Sequence, residues 1–113
     1  MDAQRARELL SRERARIERA LAQAAPPDPD DYPDHVDPGD VAPATLEKEL
    51  EAGLAERLRG ELEAIERAEQ RLAQGRYGLS VESGQPIPDD RLEAIPWAER
   101  TIEEQVRYDE LAH

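Results

Sequence analysis

Two pairs of polar residues near the C-terminus have the types and the spacing to build a hydrogen-bonded site. Thr101 and Glu104 stand three residues apart, as in a capping box. In that motif the first hydroxyl accepts from the fourth amide, and the fourth carboxylate accepts from the first amide. Ser80 and Ser83 precede Gly84, and hydroxyls in such a turn accept from nearby backbone amides. These residues predict backbone capping; the alternative is that their side chains form no network.

Metal chemistry is disfavoured by the residue types present. A zinc site needs four ligands from Cys, His and carboxylate side chains in a tetrahedron. The chain has no Cys, and its two histidines, His35 and His113, lie outside both polar pairs. Glu104 is the only plausible ligand in the region, so we expect no metal and no cofactor. The lack of Cys also excludes disulfides and a cysteine nucleophile.

A second candidate site is the aspartate pair Asp34 and Asp37. It lies in the segment 25–43, which holds six of the nine prolines. Two carboxylates on such a loop could bind a cation weakly, or could only keep the loop solvated. No nucleophile–base set, glycine-rich phosphate loop or metal cluster accompanies them in the sequence, so enzyme activity is not expected.

Two long helices are predicted to position these residues. Residues 2–24 repeat apolar side chains every three or four positions, and residues 43–74 place Leu58, Ile65 and Leu72 seven apart. An apolar stripe on a single helix is unstable in water, so the two helices should pair antiparallel. The fold class is therefore mainly α, with a two-helix coiled-coil hairpin in residues 1–75 and a tip loop over about 25–43.

Residues 76–113 are predicted to form a small module of a different kind. Alternating apolar residues at 77–81 and the return at 85–87 suggest two short strands, and Asp89 or Asp90 should cap a short helix that Pro96 ends. A last helix is expected over 101–111. The apolar side chains expected to pack this module are Tyr77, Leu79, Val81, Ile87, Leu92, Ile95, Trp97, Ile102 and Val106.

The charge of the chain restricts its partners. The 113 residues carry a net charge of −12, and residues 25–51 alone carry one basic and nine acidic side chains. Phosphate backbones are repelled by that balance, so direct binding of nucleic acid is not expected. No apolar run approaches the roughly 20 residues of a membrane span, and the N-terminus lacks the apolar core of a secretion signal. A cytoplasmic, monomeric protein is the expectation.

The segment 75–104 resembles the C-terminal zinc finger of the DksA/TraR family of RNA-polymerase-binding regulators. The family pattern is Tyr-Gly-x-Cys-x-x-Cys-Gly, then Ile-Pro and Arg-Leu-x-Ala-x-Pro, then a second Cys-x-x-Cys. On this alignment the four zinc-ligand positions fall on Ser80, Ser83, Thr101 and Glu104, and the seventeen-residue gap between the pairs is kept. The resemblance implies a zinc-finger-like module that keeps its frame without metal.

The loop sequence Asp34-His35-Val36-Asp37-Pro38-Gly39 resembles the family's Asp-x-x-Asp-x-Ala motif. In the family this motif lies at the coiled-coil tip, which enters the secondary channel of RNA polymerase. The resemblance implies RNA polymerase as partner and Asp34, Asp37 and Gly39 as contact residues, with Gly39 in the place of alanine. The alternative is a helical-hairpin scaffold that binds another protein and has lost polymerase regulation.

Some family members bind guanosine tetraphosphate through basic side chains near the finger. The alignment places Ile95 and Gln105 at two of those positions. Neither side chain carries a positive charge, so binding of this nucleotide is not expected.

Overall fold

The computed structural model describes residues 1–24 and 41–112, which are mainly helical. The helices are α1 (Ala3–Ala24), α2 (Val41–Ala73), α3 (Asp89–Ala94) and α4 (Ile102–Leu111). The two long helices confirm the predicted hairpin, and their ends differ from the predicted ones by at most two residues. Within the described residues, no helix is long and apolar enough to cross a membrane.

The two long helices pack along their apolar stripes. Five buried side chains form the core between them: Leu10, Ile17, Leu58, Ile65 and Ala68. Burying one Leu or Ile contributes roughly 1.5–3 kcal/mol, which neither stripe gains on an isolated helix. The spacing of seven between Leu58 and Ile65 keeps both on the face that meets α1.

The arrangement of the hairpin is antiparallel. The amino group of Met1 lies 3.0 Å from the carboxylate of Asp89, and the guanidinium of Arg5 lies 2.9 Å from that of Glu93. The start of α1 therefore contacts the C-terminal module. Because α2 ends at Ala73 and leads directly into this module, the two helices run in opposite directions.

Helix α2 ends in a glycine-based cap. Gly75 adopts a left-handed conformation with φ 73°, and its amide donates to the carbonyl of Leu72 at 3.2 Å. The amide of Arg76 donates to the carbonyl of Arg71 at 2.8 Å. This is the pattern of a Schellman motif, which satisfies carbonyls that the last helical turn leaves free.

A second cluster of buried side chains holds the C-terminal module together. It consists of Ile87, Leu92 and Ala98, and Tyr77 packs against both this cluster and the core of the hairpin. The Tyr77 hydroxyl donates to the carbonyl of Pro96 at 2.8 Å, and burial raises the pKa of the phenol to about 12. Tyr77 thus packs the module as predicted, and both Tyr77 and Trp97 also pack against the core of the hairpin.

The two predicted strands are reduced to a single antiparallel bridge between Leu79 and Pro86. Two hydrogen bonds flank the bridge, from the Ser80 amide to the Gln85 carbonyl at 2.8 Å and from the Ile87 amide to the Gly78 carbonyl at 2.7 Å. The neighbouring amide of Val81 instead donates to the carbonyl of Glu99 at 2.9 Å. The strand prediction was therefore wrong, although the turn between the two segments is present.

Two further expectations for the module need correction. Helix α3 begins after Pro88, with no side-chain cap, so neither Asp89 nor Asp90 is the N-cap. Both aspartates lie in the first turn, where a negative charge interacts favourably with the helix dipole. Four of the apolar side chains predicted to pack the module are exposed: Leu79 by 39%, Val81 by 48%, Ile102 by 60% and Val106 by 51%.

Candidate functional site

The capping box predicted at the start of α4 is confirmed. The Thr101 hydroxyl accepts from the Glu104 amide at 3.3 Å, and the Glu104 carboxylate accepts from the Thr101 amide at 2.9 Å. Both bonds satisfy backbone donors that the first helical turn leaves unpaired. The first turn of α4 is thereby fixed without a metal-bound pair of side chains.

The two serines confirm the predicted turn network. The Ser80 hydroxyl accepts from the amides of Glu82 at 3.1 Å and Ser83 at 3.2 Å. The Ser83 hydroxyl accepts from the amide of Gln85 at 3.2 Å. Ser80 stabilises the turn from its buried side, since it is only 5% exposed, whereas Ser83 lies on the surface.

The serine turn and the start of α4 meet around the carboxylate of Glu104. The hydrogen bond from the Thr101 amide, and then the nearby Ser83 and Ser80 hydroxyls, lower the pKa of Glu104 to about 2. They outweigh the opposing effect of burial, although Glu104 is only 5% exposed. The four positions aligned with zinc ligands therefore form one cluster, the polar cluster, around an ionised carboxylate.

Contacts outside the polar cluster join the same two segments. The guanidinium of Arg100 donates to the carboxylate of Glu82 at 2.9 Å and lies 3.8 Å from the ring centre of Tyr108. The Val81–Glu99 backbone bond runs alongside this ion pair. The Glu82–Arg100 pair was not predicted from the sequence. The only indication of it there is that two residues of opposite charge stand beside the aligned ligand positions Ser83 and Thr101.

Glu99 connects the module to α2. Its carboxylate accepts from Arg67 at 2.7 Å and lies 3.6 Å from Arg71. Because Glu99 precedes Arg100 and Thr101 directly, these ion pairs hold the start of α4 against the base of the hairpin. Nothing in the sequence marked this contact, since the partners are 32 and 28 positions apart.

The described residues contain no group of three or more His, Cys, Asp and Glu side chains that could hold a metal ion. In the polar cluster the donor set is three hydroxyls and one carboxylate, which does not match the soft or borderline ligands of structural zinc. The arrangement can fix backbone and bring two segments together. Zinc chemistry does not fit it.

Ile95 and Gln105 line one groove beside α2. Ile95 adds an apolar surface there, and the Gln105 amide donates to the carboxylate of Asp109 at 2.9 Å. The guanidinium of Arg91, in the same groove, donates to the carbonyl of Arg100 at 2.9 Å. The expectation that guanosine tetraphosphate does not bind here stays a prediction.

The predicted tip residues Asp34, Asp37 and Gly39 lie outside the described residues. The helices on either side of this segment are described: α1 ends at Ala24 and α2 begins at Val41, both at the end of the hairpin away from the module. The tip motif is thus joined to the hairpin at the end opposite the polar cluster.

Comparison with known proteins decides the family. Residues 81–110 match the model of the prokaryotic dksA/traR C4-type zinc finger. The solved structure of transcription factor DksA2 from Pseudomonas aeruginosa has 32% identity and a TM-score of 0.68, over 97% of this chain and 84% of that chain. The chain belongs to the DksA/TraR family. The resemblance inferred from the finger frame is confirmed, although none of the four ligand positions is a cysteine.

Two curated relatives match over shorter stretches. The RNA polymerase-binding transcription factor DksA of Caulobacter vibrioides is 36% identical over 75 residues, which cover 66% of this chain and 53% of that protein. General stress protein 16O of Bacillus subtilis is 48% identical over 44 residues, which cover 39% of this chain and 27% of that protein. The chain therefore spans about half the length of the first relative and about a quarter of the second.

Proposed function

We propose that this protein is a transcription regulator that binds RNA polymerase and inserts the tip of its helical hairpin into the secondary channel. The observation that carries this proposal is the likeness to DksA2 over 97% of the chain, which includes both the hairpin and the finger module. The Caulobacter relative is described as RNA polymerase-binding, and its match covers 66% of this chain. The activity proposed is regulatory and not enzymatic.

The distribution of charge supports a protein partner over nucleic acid. Residues 25–51 carry nine acidic side chains and one basic side chain, in a chain with a net charge of −12. Such a segment is repelled by phosphate backbones and attracted to a basic protein channel, which speeds encounter. We therefore propose that the protein acts as a cytoplasmic monomer without direct contact to DNA.

In this proposal the hairpin and the module have separate tasks. Asp34 and Asp37 would act near the catalytic centre of the polymerase, and Gly39 would give the tip backbone more freedom than the alanine of the family motif. The polar cluster would maintain the base from which the hairpin projects. The ion pairs of Glu99 with Arg67 and Arg71 on α2 fix the hairpin relative to that base.

The experiment compares two double variants with the same change of charge. In one, Asp34→Asn and Asp37→Asn alter the motif; in the other, Asp28→Asn and Asp30→Asn alter the same loop outside the motif. Core RNA polymerase is captured with each protein, and the lifetime of open promoter complexes is measured. The wild type and both variants should bind polymerase, and only the variant with Asp34→Asn and Asp37→Asn should lose the effect on open complexes.

Two results would refute the proposal. One is no binding of wild-type protein to core polymerase at micromolar concentrations. The other is equal activity of the motif variant and wild type, because the aspartates would then have no role in the effect.

A scaffold is the second candidate function. Leu50 and Leu54 lie one turn apart on α2 and are 67% and 48% exposed, which offers an apolar contact on the side of the hairpin. If the scaffold reading holds, Leu50→Ser with Leu54→Ser abolishes partner binding, while the motif variant binds as wild type. The polymerase proposal instead predicts that the motif variant loses the effect on transcription and that the variant with Leu50→Ser and Leu54→Ser keeps it.

A further inference from the structure

Arg71 is an unusually enclosed cation for the end of a surface helix. Its side chain is 13% exposed, and its Nε is buried without a hydrogen-bond partner within the described part of the chain. Buried guanidinium groups normally satisfy their donors, because an unsatisfied buried donor costs free energy. The Nε–H donor of Arg71 is therefore left without an acceptor among the described residues.

The carboxylate nearest to Arg71 is already shared. Glu99 lies 3.6 Å from Arg71 but accepts hydrogen bonds from Arg67 at distances down to 2.7 Å. Burial lowers the pKa of Arg71; Glu99 opposes this effect, and the charges of Arg67 and Arg76 add to it. One carboxylate thus faces two guanidinium groups, and a positive charge at Arg71 remains undercompensated.

The Schellman cap of α2 brings a second cation to the same place. The hydrogen bond from the Arg76 amide to the Arg71 carbonyl, at 2.8 Å, fixes the two residues relative to each other. Both side chains line a groove of about 550 Å³ between the end of α2 and the serine turn. Leu79 and Val81 form its apolar wall, and Glu82 in the same wall is paired with Arg100.

We propose that this groove, the Arg71–Arg76 groove, binds a phosphate group, either as the free ion or as a phosphate monoester. A tetrahedral oxyanion presents several acceptor oxygens, and arginine recognises such groups through its array of N–H donors. Bound there, the oxyanion accepts hydrogen bonds from the groove-lining guanidinium groups of Arg71 and Arg76 and offsets their two positive charges. The site lies apart from the groove lined by Ile95 and Gln105 and does not depend on polymerase binding.

The test is a titration of the full chain followed by amide NMR. The probes are inorganic phosphate and adenosine monophosphate, each compared with sodium chloride at equal ionic strength. The amides of residues 79–84 should shift saturably with a phosphate probe and not with chloride. Tighter binding of the monophosphate would identify a phosphorylated ligand as the source, whereas tighter binding of inorganic phosphate would identify the free ion.

Three single substitutions make the result specific. Arg71→Gln should weaken binding at least about tenfold, because a charge-assisted hydrogen bond is lost. Arg76→Gln should weaken it about threefold, as expected for an exposed charge, and it leaves the enclosed Arg71 in place if Arg71→Gln fails to fold. Arg59→Gln makes the same change of charge on the exposed face of α2 and should leave the affinity unchanged.

The proposal is overturned if chloride produces the same shifts, or if neither phosphate probe binds at millimolar concentration. It is also overturned if Arg76→Gln and Arg59→Gln weaken binding equally, because phosphate would then respond only to the overall charge of the chain.

Discussion

Ser80→Ala should destabilise the protein more than any other single substitution of a hydroxyl in the polar cluster. Its hydroxyl accepts from two backbone amides, those of Glu82 and Ser83, and lies beside the Glu104 carboxylate. Ser80 is 5% exposed, so water cannot replace these contacts freely. Alanine removes the acceptor and leaves both amides without it.

The expected loss follows from the number of contacts. A typical hydrogen bond contributes about 0.5–1.5 kcal/mol, so two bonds correspond to about 2 kcal/mol in the free energy of unfolding. An unfolding entropy of about 2.1 cal/mol/K per residue gives about 0.24 kcal/mol/K for this chain, and the melting temperature should fall by about 8 °C. Urea unfolding followed by the fluorescence of Trp97, the only tryptophan, reports on the module directly.

Ser83→Ala is the matched control. Ser83 is exposed and accepts from one amide, that of Gln85, so its loss should be about 0.5 kcal/mol. An equal effect of the two substitutions, or a loss below about 0.5 kcal/mol for Ser80→Ala, would refute the view that Ser80 stabilises the turn from its buried side.

Further predictions concern the other members of the polar cluster. Thr101→Ala should cost about 1 kcal/mol of stability in urea unfolding, and Thr101→Ser should be nearly neutral because the capping hydroxyl remains; equal losses would contradict the capping role. The pKa of Glu104 is lowered from 4.5 to about 2, so the stability this carboxylate contributes is complete above about pH 4.5 and lost as the pH falls through about 2. The difference in melting temperature between wild type and Glu104→Gln should therefore shrink over that interval, and a difference independent of pH would count against the ionised carboxylate. A variant with cysteine at all four aligned positions should bind one equivalent of Co²⁺ with the absorption of a tetrahedral thiolate site; a spectrum without such bands would show that the four positions do not converge closely enough.

Local features of this fold could be read from the sequence. The capping box depends on two residues three positions apart, and the bounds of α1 and α2 depend on prolines, on Gly75 and on apolar spacing. In each case the interacting groups are close in the chain. Such features are specified by neighbouring residues, so a single sequence suffices to predict them.

Features that depend on packing could not be predicted in the same way. Val81, Ile102 and Val106 are apolar but exposed, because the small module buries Ile87, Leu92 and Ala98 and has no further surface to cover them. Composition alone does not tell which apolar residues of a short segment face the core. Those left exposed remain available for contact with a partner.

The contacts that hold the module to the hairpin were also hidden in the sequence. Glu99 meets Arg67 from 32 positions away, and both residues belong to segments with many other charges. Only the fold selects this pair. The resemblance to the family's zinc finger predicted that the four aligned positions lie close together. The structure adds that Glu104 is at the centre of that cluster.

The most direct test of a finger module that folds without metal is the zinc content and the chelator response of the wild-type protein. The purified chain is incubated with zinc, dialysed, analysed for bound metal and melted with and without EDTA. The polar cluster predicts no stoichiometric zinc and the same melting temperature in both conditions. One zinc ion per chain together with a lower melting temperature in EDTA would contradict it.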